Sequence, residues 1–341
     1  HRSNAFDHVA AEVKAVREGV GAIEIANFAK HEFTGPGARA FLDHVLAAKL
    51  PKPGRLTLTP MLTPKGKLYG DLTVACLGEE HFILFGSGAA QEMHRRWFES
   101  HLPDSGVTYR NRSDELHGLA LSGPNARKLL QRICRDDVSA EGLKFRDIRQ
   151  TSVGGVPAIL ARVSFSGELG YEIYVAPQYL MRLFEDVEEA GADLGLALYG
   201  ARALMSMRLE KNWGVWTLDF RPDFTAAESG LDAFINWDKG DFIGRAAALA
   251  EREPAGVALQ PFDLGLQLAL QRVVERDGLG RRGHRVQRSI GIMEDQPLEG
   301  LLGGLLLAQP GLDDRDHGWP SMAVTVWLTR AVVAPGRPRP G

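Results

Sequence analysis

Met61-Leu62-Thr63-Pro64-Lys65-Gly66-Lys67-Leu68-Tyr69-Gly70-Asp71-Leu72-Thr73-Val74 decides how this chain is read. Pro64 and Lys65-Gly66 mark a turn between two β-rich runs. The first run is Leu56-Thr57-Leu58-Thr59. The second is Asp71-Leu72-Thr73-Val74-Ala75, which continues past Gly78-Glu79 into His81-Phe82-Ile83-Leu84-Phe85. Asp71 is expected to begin a strand among apolar neighbours. A carboxylate there loses solvation and needs a partner or a chemical task. On spacing alone, capping the turn accounts for it better.

Outward from that hairpin, 341 residues suggest two or three domains. An apolar content of 44% supports an ordinary globular core. The net charge of −3, with both signs interspersed, gives no case for nucleic acid. No apolar run is long enough for a membrane span. Cys76 and Cys134 are the only cysteines. Two isolated thiols build neither a disulfide framework nor a zinc site, so a reducing, cytoplasmic setting is expected and no metal. His1-Arg2-Ser3-Asn4 carries no signal peptide and no initiator Met, as expected of a segment cut from a longer polypeptide.

Residues 6–20 pattern as an amphipathic helix stopped by Gly21, followed by strands at 23–25 and 31–34. Gly35-Pro36-Gly37 opens a helix running to Val45 and Leu46. After the hairpin, 91–102 reads as a helix with Met93, Trp97 and Phe98 inward. A strand at 119–121 and a helix opened by Gly123-Pro124 echo the earlier strand–Gly-Pro–helix unit. Strands are expected at 156–165 and 171–175, and helices at 177–192 and 199–211. Without a regular βαβ rhythm, and with no Gly-x-Gly-x-x-Gly after an early strand, the pattern predicts α+β and no dinucleotide domain.

Several separated strings resemble the aminomethyltransferase family, which includes the glycine-cleavage T-protein. They are most like the folate-binding C-terminal part of dimethylglycine and sarcosine dehydrogenases. The hairpin stretch is the first. Phe165-Ser166-Gly167-Glu168-Leu169-Gly170-Tyr171-Glu172 is the second, and Met205-Ser206-Met207-Arg208-Leu209-Glu210-Lys211 the third. Thr225-Ala226-Ala227-Glu228-Ser229-Gly230-Leu231 and Asp238-Lys239-Gly240-Asp241-Phe242-Ile243-Gly244-Arg245 complete the set, over roughly residues 2–250. The resemblance implies a multidomain T-protein-like folate-binding fold of mixed and antiparallel sheets. A first domain is expected at 1–115, a second at 116–250 that completes the folate site, and a divergent barrel-like segment at 251–341. That last segment fits poorly. Only Gly283-His284-Arg285-Val286-Gln287-Arg288-Ser289 resembles the family's barrel, the rest being Leu-, Gly-, Pro- and Arg-rich.

The resemblance also implies a site. Asp71 matches the catalytic carboxylate. Glu172 would hold the paired N–H donors of the pterin, the strong way to bind that edge. Tyr174, two residues on, shares its strand face. Phe165 stands where relatives often have Tyr, and Leu58 where they have another, so two hydroxyls are lost. Phe28 and Phe85 would line the pocket, and Arg208 would point into it. Each of these also has a plain core or surface reading, as do Trp213 and Trp216; Glu168 is expected to support its loop. The implied cofactor is tetrahydrofolate, with FAD only if a missing N-terminal region exists. The implied partners are folate, a small methylated amine, and a flavin-dehydrogenase domain or subunit. Transfer of a one-carbon unit to folate leads. A folate-dependent S- or O-demethylase and a non-catalytic folate-binding regulator are the alternatives. Against the regulator, Glu210-Lys211-Asn212-Trp213 lacks the Cys those relatives carry.

Overall fold

A computed structural model describes residues 4–251, all within one compact unit. The expected barrel-like segment and its Gly283–Ser289 string lie outside the described residues. In chain order the elements are α1 (Phe6–Glu18), β1 (Val20–Glu24), β2 (Ala29–Thr34), α2 (Ala38–Val45), β3 (Arg55–Leu62) and β4 (Leu68–Gly78). Next come β5 (His81–Gly86), α3 (Gln91–His101), β6 (Thr108–Asn111), β7 (His117–Ser122), α4 (Ala126–Ile133), β8 (Ile148–Val153) and β9 (Val156–Ala161). The chain continues through β10 (Gly170–Val175), α5 (Leu180–Gly191), β11 (Leu196–Leu198), α6 (Ala201–Glu210) and α7 (Arg245–Glu251).

The strands form two sheets. The five-stranded sheet runs β3-β4-β5-β2-β6 and is antiparallel throughout. The six-stranded sheet runs β11-β1-β7-β10-β9-β8. It is mixed, because β1 pairs parallel with β11 and antiparallel with β7. The α+β class with mixed and antiparallel sheets is therefore the observed architecture. β1 takes its place in the six-stranded sheet although every other strand of that sheet lies beyond residue 116.

Several boundaries differ from the pattern-based expectation. Gly19, not Gly21, ends α1, and Gly21 is the second residue of β1. Its lack of a side chain serves packing. A Cβ there would stand 2.4 Å from Val16 Cγ2 and 2.6 Å from the Tyr199 ring. Asp71 does not begin its strand: β4 starts at Leu68, and Asp71 faces Pro60 of β3 within the ladder. β9 stops at Ala161, leaving 162–169 as a loop. β6, β8 and β11 were not legible. β11 is three residues long, and β6 and β8 are rich in Arg, Asn and Gln.

The echoed unit does recur. Gly35 between β2 and α2 has φ 111°, and Gly123 between β7 and α4 has φ 127°, a conformation glycine reaches without strain. One face of the five-stranded sheet packs on Phe33, Phe41, Leu42, Leu72, Val74 and Phe98. Its other face meets the six-stranded sheet across Ile25, Leu56, Ala75, Ile83, Ile159 and Tyr174. Among the described residues no helix is long and apolar enough to cross a membrane.

Candidate functional site

Directly opposed residues of an antiparallel ladder point to the same side. Thr73 on β4 opposes Leu58 on β3 and Phe85 on β5, and Phe85 opposes Lys30 on β2. Leu58, Thr73, Phe85 and Lys30 thus form a row across four strands, on the face that meets the other sheet. Asp71, two residues before Thr73, is on that face and diagonal to Phe85, a spacing of about 7–8 Å between Cα atoms.

A bulge sits just before Asp71: Met61 pairs with Gly70 but Leu62 with Leu68, so Tyr69 is skipped. Bulges re-aim neighbouring side chains. Here the Tyr69 carbonyl accepts a 2.9 Å hydrogen bond from Nε2 of buried His94 on α3. A Cβ on Gly70 would lie 2.7 Å from that nitrogen, so only glycine fits between the imidazole and Asp71. Asp71 itself is half-buried, and burial pushes its carboxyl up to about 7.

The facing sheet supplies Glu172 and Tyr174 from β10, on one strand face as expected. The Tyr174 hydroxyl donates a 2.7 Å hydrogen bond to Glu172 Oε2. The Tyr174 ring stacks on Phe85 with centroids 4.5 Å apart and planes 21° from parallel. Glu172, Phe28 and Phe165 line one cleft, with Ile25, Ser122 and Tyr199. Phe28 comes from the β1–β2 loop and Phe165 from the 162–169 loop. Burial raises the Glu172 carboxyl. The Tyr174 hydrogen bond opposes that most, then Lys211 and Lys30.

Those two lysines were missed by sequence reasoning. Lys30 is fully buried, and its Nζ donates to the Ala26 carbonyl at 2.7 Å. Lys211, just past α6, donates from Nζ to the Ser164 carbonyl at 2.6 Å. Burial draws both amines down to about 8. β2 gave no warning, because Ala29, Lys30 and His31 are all buried and the period-2 alternation is lost.

Arg208 is not brought to this cleft. It is buried on α6, and its Nη1 donates to the Trp213 carbonyl at 2.8 Å and to Asp219 Oδ2 at 2.6 Å. Asp219 also accepts from the Val215 amide at 2.9 Å, so the guanidinium organises the 213–219 loop. Its Nε is buried and has no hydrogen-bond partner among the described residues. Trp216 is core, packed with Phe220 and Leu231. Glu168 pairs with Arg17 of α1 at 3.7 Å and so anchors its loop. Leu58 lines a second, wider cleft of about 380 Å³ with Trp237, Phe234 and Arg146.

In sum of geometry, Glu172, Tyr174, Phe28 and Phe165 gather on one side, and Phe85 joins them to the face bearing Asp71. A half-buried acceptor between aromatic walls, with a protonatable carboxylate across the gap, suits a flat ligand with an edge of N–H donors. It also suits proton transfer near neutrality.

A family model described as the GCVT N-terminal domain matches residues 1–239. The mitochondrial dimethylglycine dehydrogenase of Homo sapiens is 35% identical over 250 residues, covering 72% of this chain and 29% of that protein. The chain thus spans under a third of the length of the dimethylglycine dehydrogenases it matches. An aminomethyltransferase of Halothermothrix orenii is 31% identical over 251 residues, 73% of this chain and 69% of that one. The crystal structure of the glycine cleavage system aminomethyltransferase T from Bartonella henselae shares the fold. Its TM-score is 0.65 at 22% identity, over 72% of this chain and 66% of that chain.

Proposed function

The chain belongs to the family of the GCVT N-terminal domain and the aminomethyltransferases, and from that premise we propose that it passes a one-carbon unit to tetrahydrofolate held between its two sheets. The observation carrying this reading is the Glu172–Tyr174 pair, stacked through Phe85 against the sheet face that bears Asp71. Glu172 accepts the paired donors of the pterin edge, and Tyr174 fixes the carboxylate that does so. Phe28 and Phe165 are the walls of the ring site. Phe165 gives a wall without a hydroxyl. Arg208 holds the 213–219 loop from outside the cleft.

When bound, the reduced folate supplies the N5 and N10 nitrogens that take up the carbon and each shed a proton. Asp71 receives the N10 proton and faces the positive charge that develops on the way. A carboxyl near pH 7 is matched to that task, because it is a competent base without being permanently charged. The carbon enters at the oxidation level of formaldehyde or an iminium ion, from a methylated amine of the dimethylglycine or sarcosine type. This agrees with the dimethylglycine dehydrogenases among the relatives. In this reading a flavin-dependent dehydrogenase region or subunit generates that iminium.

Calorimetry and thermal scans with folinate test the binding. Saturating folinate is expected to raise the melting temperature by mass action. Folded protein that shows neither heat of binding nor a shift removes the folate reading.

A further inference from the structure

We propose that Lys30 and Lys211 are a pair of positioning residues for the candidate pterin site, each ammonium holding the loop of one aromatic wall and both facing Glu172. This inference rests on the folate reading and extends it to residues given no role in the sequence reading.

The geometry is matched on the two sides. Lys30 reaches from β2 of one sheet to the Ala26 carbonyl at 2.7 Å, two residues before Phe28. Lys211 reaches from the end of α6 to the Ser164 carbonyl at 2.6 Å, one residue before Phe165. Lys30 also lies over the Tyr174 ring, 5.9 Å from its centroid, and Tyr174 is the hydrogen-bond donor to Glu172. Lys211 lies 5.6 Å from the centre of the Trp213 ring, at the start of the loop that Arg208 holds. Burying an ammonium is expensive, and here one fully buried and one half-buried lysine stand near the same carboxylate, a cost that a use of the charge would offset. A carboxylate that accepts from a donor edge must stay ionised, and two cations close by favour that form.

The groups around this set are few. Glu24 of β1 and Asp114, in the turn after β6, face Lys30, while Tyr174 and Tyr199 face Glu172. The tyrosines are held far above neutrality by burial, so the lysines, Glu172 and, across the gap, Asp71 are the groups that titrate in the working range.

The test is folinate affinity by calorimetry from pH 5.5 to 9 for the parent, Lys30→Gln, Lys211→Gln, the double variant, and Lys30→Arg. Parent affinity should fall on the acid side as Glu172 protonates. It should also fall on the basic side near pH 8, as the lysines lose their protons. Each Gln variant should bind about tenfold more weakly at pH 7, the factor carried by one pKa unit. Its acid limb should move to higher pH. The double variant should lose the basic limb. Lys30→Arg should keep the parental acid limb, with a basic limb reduced to the part that Lys211 contributes, because a guanidinium keeps its proton across this range.

Equal weakening at every pH, with both limbs unmoved, would reduce the lysines to loop anchors and overturn the proposal. Should the Gln variants fail to fold, a folded Lys30→Arg with a displaced acid limb or an unchanged basic limb overturns it alone, and an unmoved acid limb with a reduced basic limb supports it. A parent that binds no folinate defeats the folate reading instead, so the two failures are distinguishable.

Discussion

The hydroxyl of Tyr174 donates to Oε2 of Glu172 across 2.7 Å, so an aromatic residue and an acid two positions apart on β10 act as one unit. Tyr174→Phe removes the donor and keeps the stack on Phe85. It should weaken folinate binding by about 1.5–3 kcal/mol, the range for a hydrogen bond to a charged group. Glu172→Gln should cost about 2–5 kcal/mol, as for truncating a buried charged contact. Calorimetry reads both, and a Glu172→Gln variant binding like the parent would place the pterin elsewhere.

Asp71→Asn keeps shape and removes the proton acceptor. Folinate affinity should stay near parental, while methylene transfer from formaldehyde falls about 10²–10⁴-fold, the span of positioned acid–base groups. Parental transfer should rise with pH through about 7 as Asp71 ionises. A folded-state value raised above the unfolded one means stability is lost as pH rises from about 4 to 7. Asp71→Asn should therefore melt higher than the parent at pH 8. Unchanged transfer would return Asp71 to a structural role.

Gly70→Ala pushes a methyl into Nε2 of His94, behind the strand that carries Asp71. Overpacking of this kind costs about 1–3 kcal/mol. Chemical denaturation should show that loss, together with slowed transfer. A neutral Gly70→Ala would mean that α3 gives way freely.

His31 and His94 are buried and held neutral, at about 3 and about 4. Both values lie below the unfolded one. Their contribution to stability is thus full above pH 6.5 and drains away as pH falls towards 4 and then 3. Melting temperature should drop over that window, and His94→Gln should flatten part of the fall.

Asp219→Ala leaves the Arg208 guanidinium buried without its counter-ion. Breaking such a pair typically costs about 3–5 kcal/mol. Equilibrium denaturation should show it, and Trp213 and Trp216 fluorescence should report a loosened loop. A change under 1 kcal/mol would show that the ion pair is dispensable.

Much of this was legible in the sequence. Alternation and turn residues located the hairpin, and the strand face shared by Glu172 and Tyr174 follows from a two-residue period. Alternation failed where both sides are buried, which hid Lys30, and where strands are short and polar, which hid β6, β8 and β11. Arg208 was named from its string, yet a string says nothing of where a guanidinium points. Asp219, eleven positions away in the sequence, decides that. The bulge at Tyr69 and the imidazole behind it depend on a residue of another element, beyond the reach of local pattern.

β1 has a consequence for how the protein is made. It lies between β7 and β11, and its parallel partner β11 is the last described strand to be synthesised. During vectorial synthesis the five-stranded sheet can close early, while Val20–Glu24 waits with both edges bare. An unpaired strand edge is a template for other chains. Residues 1–115 expressed alone would carry that edge permanently, and 116–251 alone would lack the strand that fills it. A nascent chain therefore covers one edge of β1 when β7 emerges, and the other only when β11 follows about 75 residues later.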